Sequence, residues 1–142
     1  MSESAVAQAQ RAERSLTGIR RLVAGLVFIH GVARLSAGGV EPFGGWLESI
    51  GFPLGIGIAA FVTAFELAAA PLLAFGPRRW HTPIALVFAT IYGFGLWLVH
   101  WPAGWFVVGL GRNGMEYSVC LIGVFLALAW RGWPEAGLRP RR

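Results

Sequence analysis

Apolar and polar positions fall in long blocks along this chain, without the two-residue alternation of a strand. Four apolar runs, residues 19–37, 54–75, 83–101 and 115–131, are separated by short segments rich in glycine, proline and arginine. A helix needs about 20 mostly apolar residues to cross the hydrocarbon core of a bilayer, and each run is of that order. The pattern predicts an all-α polytopic membrane protein, an antiparallel four-helix transmembrane bundle. One domain covers residues 1–142, with a polar tail at 1–18 and a basic tail at 132–142.

The connectors carry their own signals. Residues 45–50 read as a short interfacial helix with Trp46 at headgroup depth. Arg78, Arg79 and His81 form a tight turn, Pro83 opens the third helix in its first turn, and Pro102 and Gly104 end it. Trp97, Trp101, Trp105 and Phe106 make an aromatic belt at that end. Residues 1–15 are polar and alanine-rich, and read equally as a surface helix or an unstructured tail. Small residues recur in the second run as Gly55 and Ala59, and as Ala60, Ala64 and Ala68, spacings that suit close helix packing.

Composition narrows the class. Mean hydropathy is +0.60 and 13% of residues are charged, against about 25% in an ordinary soluble domain. All twelve basic residues are Arg and all seven acids are Glu. The net charge of +5 does not point to nucleic acid, because the arginines sit at segment ends, where they anchor against lipid headgroups. Arg20 and Arg21 are such anchors and not a twin-arginine signal, since no small-residue cleavage site follows. In a four-span layout Arg11, Arg14, Arg20, Arg21, Arg78, Arg79, Arg131, Arg139, Arg141 and Arg142 share one side, and only Arg34 and Arg112 take the other. By the positive-inside rule both termini are then cytoplasmic. A single cysteine, Cys120, excludes an intrachain disulfide and a CxxC pair, so any redox chemistry needs a bound cofactor or a partner.

The candidate chemistry lies in the few polar positions of the apolar runs. Glu66 sits near the middle of the second run, where an unpartnered carboxylate costs roughly 3 kcal/mol or more. His30 and Arg34, four apart, share one face of the first helix, and Gly31 between them lets a neighbouring backbone approach. By depth, Arg34 or His30 is the expected partner of Glu66, and a buried polar network or cavity is expected around Glu66 and His30. Arg34 alone reads equally as a residue snorkelling to the headgroups. His100 ends the third helix, and Arg112 and Glu116 are spaced as an i,i+4 surface pair at the start of the fourth. His30 lies some six residues deeper than His100, about 9 Å at helical rise, which argues against the two flanking one haem iron. No metal site is expected.

Residues Arg21, Gly25, Phe28, His30, Gly31, Arg34 and Leu35, then Gly51-Phe52-Pro53, Glu66, His100 and Gly114-Met115-Glu116-Tyr117, make a pattern that resembles the DoxX family of small four-span bacterial membrane proteins. The resemblance covers about residues 19–131. It departs where Arg34 stands in place of a frequent Lys, and in the tail after Arg131. It implies a multi-pass protein of the bacterial inner membrane, associated with redox complexes and partnered by another protein or by copies of itself. It also implies that His30, Arg34, Glu66, His100 and Glu116 form a polar, ligand-binding central site.

Two function classes follow. In one, the chain is a redox-associated subunit, not a self-sufficient enzyme, that binds a quinone or quinol non-covalently; Glu66 and His30 are its proton-exchange candidates. In the other it is a non-enzymatic binding, transport or scaffold module for a small solute, a lipid or a partner protein.

Overall fold

The computed structural model describes residues 2–109 and 111–132, and these are all helix, turn and loop. The basic tail expected after residue 132 lies outside the described residues. The helices are α1 (Glu3–Ser36), α2 (Val40–Ser49), α3 (Gly55–Phe75), α4 (His81–Gly95) and α5 (Glu116–Gly132). Two compact units divide the chain, Met1–Gly76 and Pro77–Arg142. Among the described residues, three helical stretches are long and apolar enough to cross a membrane: Glu3–Ser36, Gly55–Phe75 and Arg78–Ala103, the last including turns on both sides of α4.

In the first unit, α1 is longer than the apolar run that predicts it. The Ser2 hydroxyl caps its start by accepting from the Ala5 N–H at 3.4 Å, and the alanine-rich segment continues into the apolar run without a break. Its 34 residues span about 51 Å at helical rise, some 20 Å more than a bilayer core. Gly38, with φ +64°, turns the chain into α2. This helix starts earlier than the predicted 45–50, because Glu41 and Pro42 both suit a first turn.

Helix α3 packs antiparallel on α1. At one end the Arg20 guanidinium donates to the Leu73 carbonyl and Arg21 lies over the Phe75 ring at 5.4 Å. Arginine suits this place, because carbonyls in the last turn of a helix lack helical donors. At the other end Arg34 meets Thr63 and Glu66. Val23, Ala24 and Val27 of α1 and Ala59, Val62, Ala69, Ala70 and Leu73 of α3 are buried. Gly55 and Ala59 lie on the packed face as their spacing predicts, but Ala60, Ala64 and Ala68 are exposed. Ala64 and Ala68 each stand two residues from Glu66, about 200° around the helix, so turning the carboxylate inward turns them out.

In the second unit, α4 and α5 are antiparallel, with Phe88 stacked on Phe125 (5.2 Å between ring centres) and the Thr82 hydroxyl donating to the Ala129 carbonyl at 3.3 Å. After α4 the chain widens into a π-helical turn, Leu96–His100, and then tightens into Trp101–Ala103. The predicted third span thus has the expected limits but not one regular helix. Trp97, Trp101, Trp105 and Phe106 are all exposed, as a belt requires. Helix α5 begins at Glu116, so Arg112 lies in the loop before it and the two do not form the expected helical i,i+4 pair.

Candidate functional site

Glu66 is the organising side chain of the first unit. It is 1% exposed and sits mid-helix on the face that α3 turns to α1. The approach is close because residue 31 is glycine: a Cβ there would lie 3.0 Å from Glu66 Cβ and 3.4 Å from its Oε2. This is the level at which Gly31 was expected to admit a neighbour. One turn further along α1, Arg34 Nη1 donates to Glu66 Oε2 at 2.7 Å, a short charge-assisted bond.

Thr63 completes the arrangement. Its hydroxyl donates to the Ala59 carbonyl at 2.8 Å, which leaves a lone pair to accept the second Nη1 hydrogen of Arg34 at 3.1 Å. Arg34 is therefore held in one rotamer by two oxygens from consecutive turns of α3. On its other side Phe43 of α2 lies over the guanidinium, 5.1 Å from Cζ to the ring centre, in cation–π geometry. The stem of Arg34 runs past Gly39, where a Cβ would come within 3.1 Å of Arg34 Cγ.

His30 joins the cluster from α1 with a different exposure. Its side chain is 57% exposed, against 14% for Arg34, so it is not the buried group its position in the run suggests. Arg34 has only donors, so at 3.4 Å its Nη2 faces an accepting Nε2, and the His30 proton belongs on Nδ1. That nitrogen stands 3.7 Å from Glu66 Oε1. The result is a neutral imidazole aligned between a fixed cation and a buried carboxylate. Such an array can orient a polar ligand atom and exchange a proton with it.

His100 and Glu116 belong to the second unit, and each holds backbone of the loop between α4 and α5. His100 Nδ1 donates to the Asn113 carbonyl at 2.8 Å, and Asn113 is one of two non-glycine residues with positive φ (59°) among the described residues. Glu116 Oε1 accepts from the Val107 N–H at 3.3 Å, while its own N–H donates to the Trp105 carbonyl. Gly114 lies so close to the Trp105 and Phe106 carbonyls that a Cβ would collide with both. These contacts fold the loop back on itself, which is structural work.

No family model, curated protein or solved structure matches this chain. The site is therefore defined by its own geometry. Of the five expected site residues, His30, Arg34 and Glu66 converge, and Thr63 and Phe43 join them. Thr63 had a usable signal, since it lies three residues before Glu66 on the same helical face. Phe43 had none, because its place depends on the corner at Gly38 and Gly39.

Proposed function

We propose that this protein is a DoxX-like subunit of the bacterial inner membrane that holds a quinone or quinol at His30, beside Arg34 and Glu66, for a redox partner. The observation that carries the reading is the half-exposed imidazole, tied through Nε2 to Arg34 and standing 3.7 Å from a buried carboxylate. A quinone supplies two-electron chemistry when bound, with electrons exchanged through the partner protein. The residues of this chain hydrogen-bond its oxygen and exchange protons, His30 directly and Glu66 behind it.

The reading includes α5 as a fourth span. Its 17 residues cover about 25 Å, a little short of a bilayer core, and residues 117–130 carry no charge. With it, both termini are cytoplasmic. In a Cys120→Ser background, a cysteine at position 112 should react with a membrane-impermeant maleimide in intact cells. One at position 78 should react only after permeabilisation; labelling of 78 from outside would reverse the topology.

A second reading, a binding or scaffold module, draws on a different observation: among the described residues no buried side-chain polar atom lacks a partner. A cluster complete in itself can serve packing alone. Quinone-coupled turnover in membranes of the host complex separates the two readings. His30→Phe is the decisive variant, because the exposed ring contributes less to stability than the Arg34–Glu66 pair. It should insert normally and melt near the wild type, yet lose turnover by ~10²-fold or more, as expected for a lost general acid–base group. Unchanged turnover on deletion of the whole chain would end the redox reading.

A further inference from the structure

The polar groups of the cluster are closed on one flank and open on the other. Arg34 and Glu66 are 14% and 1% exposed, and Phe43 covers the guanidinium from α2. Helix α2 packs closely on α3: Gly44 meets the backbone of Ile56 and Gly55 meets the carbonyl of Gly44, with no room for a Cβ at either. His30 lies on the other flank. By helical spacing, Val27, Gly31 and Arg34 stand on its inward side, and the first two are buried. Leu26, Ile29 and Ala33 stand on its outward side and are exposed.

We infer that the His30 site opens sideways into the hydrocarbon phase, with Phe43 as its barrier against water, and that it takes an uncharged, lipid-dissolved ligand bearing a carbonyl or hydroxyl oxygen. The inference rests on reading α1 and α3 as membrane spans and the cluster as a ligand site. The charges support it. Arg34 and Glu66 cancel, and an imidazole that accepts through Nε2 is neutral, so the cluster carries no net charge. An ionic ligand would bring an uncompensated charge into a low-dielectric place, whereas a single oxygen facing the imidazole would not. The route follows from exposure within the first unit: His30 is the most accessible member of the trio, 57% exposed against 14% for Arg34 and 1% for Glu66, and its accessible side is flanked by apolar side chains.

The test uses the full chain in nanodiscs, with Cys120→Ser and a nitroxide on His30→Cys. Oxygen, which concentrates in lipid, should collide with the label far more often than a water-soluble nickel chelate. Phe43→Ala should raise the chelate collision rate severalfold and leave oxygen collisions unchanged. Dominant chelate collisions with Phe43 intact overturn the sideways opening, as do low collisions with both reagents. An unchanged chelate rate in Phe43→Ala overturns the barrier. In a second arm the chain with native His30 binds menadione, a neutral quinone, or an anionic naphthoquinone sulfonate, each corrected for partition into empty nanodiscs. Menadione should bind at least about a hundredfold tighter, the cost of an unpaired buried charge. Equal binding overturns the selectivity for uncharged ligands. The nitroxide result does not depend on any quinone, so failure of menadione to bind counts against the quinone reading and leaves the sideways opening to be decided by the label.

Discussion

Glu66→Ala is expected to destabilise the detergent-solubilised protein by ~3–5 kcal/mol, the usual result of removing one partner of a buried ion pair. The loss comes from the partner left behind. Arg34 Nη1 would face a void where Oε2 stood at 2.7 Å, with only the Thr63 hydroxyl still accepting from it. Water has poor access, because the Arg34 side chain is 14% exposed and lies under Phe43. Glu48→Ala removes an exposed carboxylate and should cost ~1 kcal/mol or less. Arg34→Met combined with Glu66→Leu should recover much of the loss, since replacing a whole buried pair by apolar groups is often nearly neutral. Thermal melting of the four proteins checks this. Equal melting temperatures for Glu66→Ala and Glu48→Ala would show that the pair does not hold α1 to α3.

Adjacent glycines of α2 should respond with opposite signs. A Cβ at Gly44 would stand 2.5 Å from Ile56 Cα and 2.7 Å from its N, both backbone atoms that cannot rotate away. Gly44→Ala must therefore push α2 off α3, an overpacking cost of about 1–3 kcal/mol. The same displacement would carry Phe43 from its place over Arg34. Gly45 is exposed, inside the same helix, and a Cβ there meets nothing within 4 Å. Gly45→Ala should gain about 0.5–1 kcal/mol, the difference in helix propensity. If both variants lowered the melting temperature equally, close backbone packing at Gly44 would not explain the fold of this corner.

The helical regions were legible because their causes are local. Apolar runs of near-membrane length, with proline, glycine and arginine at their ends, place α3 within one residue of the predicted 54–75 and α5 within one of 115–131. The expectation that Glu66 is buried was legible too, since a carboxylate in the middle of such a run must find a partner. Other features lay beyond the sequence. Residues 1–15 carry no apolar stripe that would decide between helix and coil, and it is continuity with the rest of the capped α1 that makes residues 3–15 helical. The π-helical turn at Leu96–His100 shows in no periodicity.

Sequence by itself determined that Glu66, deep in an apolar run, needs a polar partner, and that His30 and Arg34 are the groups at its level. Tertiary structure decided how they are satisfied. Burying Glu66 sets the rotation of α3, which brings Thr63 beside Arg34 and sends Ala60, Ala64 and Ala68 outward. Gly31 sets how closely α1 approaches, so Arg34 reaches Glu66 at 2.7 Å while His30 stays at 3.7 Å and half outside. Phe43 arrives from a corner whose geometry Gly38 and Gly39 control. The physical reason is one of range. Where a helix lies follows from hydropathy and breakers along a few turns of chain, but partner choice and exposure depend on the rotation and separation of two helices, which only their packing fixes.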